Sequence, residues 1–177
     1  GERMGKKAEK QEPKTARVMC GGTCEKAKDK YDYFGVEDCA AAAKLAGGPK
    51  ACPDGCLGFG TCAKACKFGA ISVVDGVASV DEEKCTACGM CAKACPKHII
   101  EIIPKKKKVS VRCRNRQKGQ EVNKYCAAGC IACKICEKNC PFEAITVEDN
   151  LAVIDYDKCK SCGICAAKCP KGVIKKI

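Results

Sequence analysis

The sequence predicts an α+β fold in which one small unit occurs twice in tandem, and three observations lead to this prediction. The pattern Cys-x2-Cys-x2-Cys-x3-Cys-Pro occurs three times, beginning at Cys85, Cys130 and Cys159. A looser run of four cysteines, with spacings of three, five and three residues, begins at Cys52. Between the two runs of each half, short apolar segments flank a tight turn, which is typical of a β-hairpin. The two halves align with one another, which indicates a duplication.

The regular pattern is the one with which bacterial-type ferredoxins bind cubane iron–sulfur clusters. A cube of four irons needs four thiolates; three come from one run, and the fourth comes from the last Cys of the neighbouring run. The chain contains 21 Cys among 177 residues, and it shows no signal peptide that would favour a disulfide scaffold. We therefore predict two tandem bacterial-type dicluster (2[4Fe–4S]) ferredoxin domains, with short hairpins and helices around the clusters.

Composition and the repeat divide the chain into five segments. These are 1–15, a flexible linker or terminus; 16–49, a Cys-containing helical insertion packed on the first unit; 50–103, the first dicluster domain; 104–122, a basic linker and strand; and 123–177, the second dicluster domain. Expected elements are a short helix over 36–45, hairpins over 70–80 and 144–154, and strands over 98–103, 109–112 and 173–177. A chain that starts at Gly1 rather than Met is expected to be a fragment.

The ligand rule gives three complete sets of cysteines. In the second unit, one cube is expected on Cys130, Cys133, Cys136 and Cys169, and the other on Cys159, Cys162, Cys165 and Cys140. In the first unit, the same rule predicts a cube on Cys85, Cys88, Cys91 and Cys66. Each fourth ligand crosses from one run to the cube of the other, so the two cubes of a unit are expected to lie close together.

The remaining predicted cube is irregular. It has Cys56, Cys62 and Cys95, but Phe59 or a neighbour stands where the regular pattern has its second Cys. We expect Cys52 to replace that ligand. Cys39 is the next candidate, followed by a three-iron [3Fe–4S] cluster and by Cys20 or Cys24. The prediction is thus four [4Fe–4S] clusters.

Five cysteines remain outside this assignment: Cys20, Cys24, Cys39, Cys113 and Cys126. One interpretation is that they are small buried residues packed beside the clusters, because free Cys is among the most buried residue types. The alternative is an extra metal site built from Cys20, Cys24 and Cys39, with or without Cys52, which would add a fifth cluster.

The net charge and the absence of certain motifs limit the classes of partner and of activity that the sequence is compatible with. An oxidised cube with four thiolates carries about −2, so four cubes would reduce the formal charge of +12 to about +4. This mildly basic surface suits an acidic protein partner or an anionic membrane face; nucleic acid is disfavoured because no aromatic residues interleave with the lysines. The run Lys105–Lys108 is either a solvated linker or a docking patch. We expect no transmembrane span and, with one His and no nucleotide-binding motif, no autonomous catalytic site.

Upstream motifs carry a family resemblance over residues 16–177. They are Cys-Gly-Gly-Thr-Cys from Cys20, Tyr-Asp-Tyr-Phe-Gly-Val-Glu-Asp-Cys from Tyr31, and Gly-Cys-Leu-Gly-Phe-Gly-Thr-Cys from Gly55. Together with the tandem Cys-Pro runs, they resemble the B subunit of the Rnf complex in its clostridial-type form.

The resemblance implies an electron-transfer iron–sulfur protein of a membrane-bound complex that oxidises reduced ferredoxin, reduces NAD and pumps sodium ions or protons. It implies a soluble acidic ferredoxin as electron donor, other subunits of the complex as partners, and a position at the cytoplasmic face of the membrane. Family members carry an N-terminal membrane helix and a further four-Cys cluster domain, which do not occur in this sequence. The alternatives are a free-standing polyferredoxin, an electron-relay subunit of a hydrogenase or dehydrogenase, and a zinc-binding module that interacts with nucleic acid.

Overall fold

A computed structural model of the chain describes residues 11–177, in which one order of elements occurs twice. The first unit consists of β1 (Lys14–Val18), α1 (Cys39–Lys44), α2 (Thr61–Ala65), β2 (Ile71–Val74), β3 (Val77–Val80), α3 (Met90–Ala94) and β4 (Ile100–Pro104). The second consists of β5 (Val109–Val111), α4 (Gly119–Tyr125), α5 (Ile135–Lys138), β6 (Ile145–Glu148), β7 (Leu151–Ile154), α6 (Ile164–Lys168) and β8 (Ile174–Lys176). Both units thus run strand, helix, helix, hairpin, helix, strand.

Each unit contains two separate antiparallel pairs of strands. The predicted hairpins form as β2–β3 and β6–β7, while β1 pairs with β4 and β5 pairs with β8. The pairing of Lys14 and Thr15 with β4 assigns these two residues to the first unit, although the sequence placed them in a flexible segment. Residues 1–10 of that predicted segment lie outside the described residues.

The two hairpin turns have the same backbone geometry with different residues. Asp75 and Gly76 have φ values of 49° and 77°, and Asp149 and Asn150 have φ values of 46° and 62°. Positive φ at both central residues is the requirement of a type I′ turn, whose twist matches that of the flanking strands. The turn places β2 against β3, and β6 against β7, in a register that buries one face.

Each unit has its own small apolar core, and the two cores use equivalent positions. The first includes Val18, Ile71, Val77 and Ile100, and the second includes Val111, Ile145, Leu151 and Ile174. Several buried cysteines of each unit belong to the same core clusters. The cysteines therefore face one another across space that is walled by apolar side chains.

Backbone contacts join the two units. An isolated bridge pairs Ala27 with Cys126, with hydrogen bonds from the Lys28 amide to the Tyr125 carbonyl (2.8 Å) and from the Ala127 amide to the Lys26 carbonyl (2.7 Å). Residues 26–28 of the insertion before α1 thus pack against the end of α4.

The basic segment between the units is engaged with the protein. Lys107 Nζ donates to the carbonyl of Cys159 (2.6 Å), Lys108 Nζ lies 3.2 Å from Glu82 Oε2, and Lys106 pairs with Glu12. Three of the four lysines from Lys105 to Lys108 therefore have partners within the chain.

No helix within residues 11–177 is long and apolar enough to cross a membrane.

Candidate metal centres

Twenty of the 21 cysteines line five cavities, with four different cysteines in each. The sets are Cys66, Cys85, Cys88 and Cys91; Cys39, Cys56, Cys62 and Cys95; Cys20, Cys52, Cys113 and Cys126; Cys130, Cys133, Cys136 and Cys169; and Cys140, Cys159, Cys162 and Cys165. We name them cavities 1 to 5 in this order. Cys56 lines cavity 3 as well as cavity 2. The cavity volumes lie between about 290 and 410 Å³, so the five spaces are of similar size.

Cavities 1, 4 and 5 bring together the cysteines that the regular spacing groups. In each, three cysteines come from one run and the fourth comes from the end of the neighbouring run. The crossing is local, because the hairpin and the short helices of each unit bring the end of one run beside the start of the other. The structure therefore brings together the same twelve cysteines that the spacing rule groups, and their ligation of clusters stays a prediction.

The loops of two of the three regular runs have a backbone shape that points an amide at the sulfur of the first Cys. Ala87 and Ser161, two residues after the first Cys of their runs, have positive φ values of 58° and 56°. Their amides donate to Cys85 Sγ and Cys159 Sγ, at 3.4 Å in both cases. Such turned backbone amides make an anion-binding concavity, and here the anion would be a thiolate.

Cavity 2 is the irregular one, and its fourth cysteine is Cys39 rather than Cys52. The expectation that Cys52 completes the set with Cys56, Cys62 and Cys95 does not agree with the structure. The physical reason is the path of the insertion, which lays the first turn of α1 over the loop from Cys56 to Cys62. Cys39, the next candidate by sequence, is 8% exposed and packs with Leu57 and Ala42.

Asp38 holds Cys39 at this position. Its carboxylate caps α1 by accepting from the Ala41 amide (2.8 Å), and it also accepts from the Thr61 hydroxyl (2.9 Å). The Thr61 hydroxyl oxygen in turn accepts from the amide of Cys39 (2.7 Å), so the start of α1 is tied to the residue before Cys62. The sequence analysis did not identify Asp38 and Thr61 as residues that position Cys39. The feature that could have revealed Asp38 is its place directly before an alanine-rich helix, which is typical of an N-cap.

Cavity 3 lies between the two units and contains Cys52. Cys20 and Cys52 reach it from the first unit, and Cys113 and Cys126 from the second. The fully buried Asn115 donates its side-chain amide to Cys52 Sγ (3.2 Å) and to the Tyr125 hydroxyl (2.8 Å). For three of these cysteines, Cys20, Cys113 and Cys126, the sequence favours a packing role, and no spacing groups them with Cys52.

The extra site predicted from Cys20, Cys24 and Cys39 is not assembled. Cys20 lines cavity 3, Cys39 lines cavity 2, and Cys24 lines none of the five. Cys24 is exposed, and its amide donates to the Asp75 carbonyl (2.9 Å) at the turn of the first hairpin. The spacing of these three residues in the sequence does not correspond to proximity.

Burial and neighbouring thiols set the protonation of the cysteines. Burial raises the pKa of Cys62 to about 12, with further contributions from the thiols of Cys56, Cys39 and Cys95. Burial likewise raises the pKa of Cys113 to about 12. Metal-free thiols at these positions are therefore protonated near neutral pH, and ligand binding must release their protons.

The donor set fits a cubane cluster. Thiolate sulfur is the ligand that iron–sulfur clusters take, and the cavity walls are almost wholly apolar. Within residues 11–177 no three His, Cys, Asp or Glu side chains converge closely enough to hold a single metal ion. The sulfurs instead surround a shared space.

Two family models match the chain. Residues 129–174 match a 4Fe-4S dicluster domain, and residues 78–101 match a 4Fe-4S binding domain. These matches confirm the predicted tandem ferredoxin-type α+β fold and the presence of [4Fe–4S] sites.

Three curated proteins resemble nearly the whole chain. The B subunit of the proton-translocating ferredoxin:NAD(+) oxidoreductase complex of Clostridium ljungdahlii is 54% identical over 98% of this chain and 62% of that protein. The B subunit of the Na(+)-translocating ferredoxin:NAD(+) oxidoreductase complex of Acetobacterium woodii is 48% identical over 97% of this chain and 52% of that protein. The B subunit of the ion-translocating oxidoreductase complex of Methanosarcina acetivorans is 43% identical over 99% of this chain and 67% of that protein. The chain thus spans between about half and two thirds of the length of these relatives.

Proposed function

The chain belongs to the family of B subunits of ion-translocating Rnf oxidoreductase complexes, and from this premise we propose that it is an iron–sulfur electron-transfer subunit of such a complex. It would pass low-potential electrons from a reduced ferredoxin towards a membrane-bound ferredoxin:NAD oxidoreductase. The observation that carries the proposal is the assembly of cysteines in fours around cavities of similar size.

We assign four [4Fe–4S] clusters to the regular and irregular sets. Cavities 1, 4 and 5 keep the ligands expected from the sequence, and cavity 2 takes Cys39 with Cys56, Cys62 and Cys95. A bound cluster accepts and donates one electron without making or breaking a bond to a substrate. The residues of the chain then have three tasks: to bind, to exclude water and to set the potential.

Backbone amides and apolar walls perform the last two tasks. The amides of Ala16 and Ala87 donate to Cys85 Sγ at 3.3 and 3.4 Å, and the Ala144 amide donates to Cys140 Sγ at 3.4 Å. A hydrogen bond to a ligating sulfur stabilises the more negative, reduced state and raises the reduction potential. Core side chains such as Ile71 and Ile145 keep water from the same sulfurs.

Exposed ligands suggest where electrons enter and leave. The second Cys of each regular run, Cys88, Cys133 or Cys162, is exposed, whereas cavities 2 and 3 have no exposed Cys. Half-exposed apolar side chains lie near two of these edges: Phe68 and Met90 at cavity 1, and Phe142 and Ile164 at cavity 5. These edges offer short distances to a docked redox partner.

A soluble acidic ferredoxin is the proposed donor, docked by lysines near one of these edges. We assign docking to exposed lysines that neighbour ligands in the sequence, Lys84 and Lys93 in the first unit or Lys160 and Lys168 in the second; of these, Lys84 also lies 3.7 Å from the exposed Asp81. We further propose that the chain acts at the cytoplasmic face of the membrane, held there by other subunits of the complex or by a part of the protein outside this sequence.

Reduction by an acidic ferredoxin tests the proposal. The rate is measured by stopped flow at several ionic strengths for the wild type, for Lys84→Gln with Lys93→Gln, and for Lys160→Gln with Lys168→Gln. We expect one of the two double variants to reduce the rate about tenfold at low salt and to flatten its salt dependence. A protein that ferredoxin does not reduce, or that contains no iron, would overturn the electron-transfer function. Equal salt slopes in all three proteins would overturn the docking assignment alone.

A further inference from the structure

We infer that Cys20, Cys52, Cys113 and Cys126 hold a fifth [4Fe–4S] cluster, which bridges the two units and connects their cluster pairs into one chain of five. The inference rests on the proposed function of the other four sites. It differs from the extra site expected from the sequence, which combined Cys20 with Cys24 and Cys39. It also uses cysteines from both units, which no spacing along the chain groups.

The duplication gives both units cysteines at the same two positions. Val-x-Cys ending at Cys20 aligns with Val-x-Cys ending at Cys113, and Lys-x-Cys ending at Cys52 aligns with Lys-x-Cys ending at Cys126. Each unit therefore contributes the same two positions to cavity 3. Two equivalent pairs, one from each unit, give four ligands around one cavity, as a cube requires.

Three of the four sulfurs that line cavity 3 accept hydrogen bonds. The Gly22 amide donates to Cys20 Sγ (3.4 Å), and the Asn115 side chain donates to Cys52 Sγ (3.2 Å). The Cys130 amide donates to Cys113 Sγ (3.4 Å). The first contact is the one that the regular runs make to Cys85 and Cys159, where the amide two residues on donates to the sulfur, and all three contacts stabilise a thiolate. Asn115 is buried and fully engaged: its side-chain oxygen accepts from the Gln117 amide (2.7 Å) and its side-chain nitrogen donates to the Tyr125 hydroxyl, which fixes the same nitrogen against the sulfur of Cys52.

Cavity 3 is also as large as the other four sites. The space inside it, counting the part open to solvent, is about 410 Å³, against about 290 to 390 Å³ for the other four. Free thiols that only fill a core pack against each other, because protein interiors are close-packed. A space as large as the regular cluster sites, lined by four cysteines, indicates the same occupant.

Cavity 3 also lies next to one cluster site of each unit. The amide of Cys56, a ligand of cavity 2, donates to Cys20 Sγ (3.5 Å), and the amide of Cys130, a ligand of cavity 4, donates to Cys113 Sγ. These two bonds are equivalent in the repeat and connect cavity 3 to one cluster site on each side. The cluster order is then cavities 1, 2, 3, 4 and 5. At each step one cube loses one electron and the next gains it, so a reduced ferredoxin supplies the electron and the complex removes it.

Iron and sulfide analysis of the full chain, purified without oxygen, tests the inference. We expect about twenty irons and twenty sulfides in the wild type, because five cubes of four are filled. Cys20→Ser with Cys52→Ser, and separately Cys113→Ser with Cys126→Ser, should each lower both numbers by about four, since each pair removes half of the same site. Cys24→Ser is the matched control and should change nothing, because Cys24 lines none of the five cavities.

Spin integration of the fully reduced protein by electron paramagnetic resonance provides a second readout that does not depend on how the variants fold. Five reduced cubes give about five spins per chain, whereas four give about four. About sixteen irons and four spins in the wild type would overturn the fifth cluster while leaving the proposed function intact. A protein without iron would overturn both. Zinc bound by the four cysteines of cavity 3 would also contradict the inference.

Discussion

The two units place the second cysteine of their equivalent sites, cavity 4 and cavity 2, on different segments of the chain. In the second, Cys133 lies on the loop between Cys130 and Cys136, and it is exposed. In the first, the loop between Cys56 and Cys62 has no Cys, and the equivalent place in cavity 2 is taken by the buried Cys39 of α1. Cavity 4 is open to solvent at Cys133, whereas α1 covers the equivalent edge of cavity 2.

The difference has a consequence for the reduction potential. Reduction adds a negative charge to a site that already carries about −2, and burial disfavours the more highly charged state. With other contacts equal, the cluster of cavity 2 is expected to be harder to reduce than that of cavity 4. The insertion thus tunes one site of a duplicated pair while the other keeps the regular geometry.

Replacing Cys39 should have the largest effect, which is the loss of the cluster in cavity 2. Cys39→Ser should remove about four irons per chain, since three thiolates hold a cube poorly, or leave a three-iron cluster with its distinct oxidised-state resonance. Iron analysis and electron paramagnetic resonance check this. Cys24→Ser, in the same insertion, should retain full iron content; a loss there equal to that of Cys39→Ser would contradict the assignment.

An ion pair distinguishes the units at a second position. Arg17, with a side chain 2% exposed, lies 2.8 Å from Glu82 Oε1, whereas the repeat has Ser110 and Tyr156 there. Glu82→Gln leaves the guanidinium without its charged partner and should cost about 3 kcal/mol. The measurement is the guanidinium chloride concentration that bleaches half of the visible absorbance. Tyr156→Phe, at the equivalent position, should shift that midpoint far less.

The same pair predicts a pH dependence. Although partial burial acts to raise it, the Arg17 guanidinium and Lys108 hold the pKa of Glu82 below its ordinary value of 4.5. A carboxylate with a depressed pKa stabilises the fold above the unfolded pKa, and this contribution is lost as the pH falls through the folded value. The difference in stability between wild type and Glu82→Gln should therefore be constant from pH 6 to 8. A difference that shrinks over that range would contradict the pairing.

Removing the N-cap of α1 should have a smaller effect on the stability of the protein and on the cluster of cavity 2. Asp38→Ala removes acceptors for the Ala41 amide and the Thr61 hydroxyl and should cost about 1 kcal/mol. Because α1 positions Cys39, the cluster of cavity 2 should be lost to a chelator faster than the others. Asp38→Ser, which retains a capping oxygen, should restore most of the loss; equal lability of all clusters in Asp38→Ala would argue against a positioning role.

The smallest effect concerns the backbone before the short helices. Gly60, Gly89 and Gly163 have φ values of 72°, 77° and 85° at the residue preceding α2, α3 and α6, but Lys134 occupies that place before α5 with φ 60°. Lys134→Gly should relieve this strain and stabilise the second unit by about 0.5 kcal/mol. Lys138→Gly, at the last residue of α5, should instead lower the stability, because glycine is a poor helix former and no positive φ is relieved there. The same bleaching midpoint measures both, and a loss of stability in Lys134→Gly would contradict the argument.

The sequence predicted what local spacing determines. The three regular ligand sets, the two hairpins and the tandem order all follow from distances along the chain, and the structure agrees with them. Cys52 and Cys39 could not be ranked correctly, because the choice depends on how the insertion before Cys52 returns over the loop of cavity 2. The pairing of Cys20 and Cys52 with Cys113 and Cys126 depends on how two units meet, which no local pattern encodes.

Positive φ values at residues other than glycine could not be predicted from the sequence either. His98 and Glu143 have positive φ values of 51° and 48°, at the position that Gly69 and Gly172 occupy in the other copies. Only the glycines signal such a conformation in a sequence. The lysines from Lys105 to Lys108 likewise resemble a solvated run in the sequence, yet three of them find partners in neighbouring segments.

Anomalous diffraction at the iron edge, from crystals of the chain grown without oxygen, would locate the clusters themselves. We expect an iron peak in each of the five cavities, with Cys39 ligating in cavity 2 and Cys52 in cavity 3. Zinc-edge peaks, disulfide bonds between the grouped cysteines, or cavities 1, 4 and 5 without iron would contradict the cluster assignment.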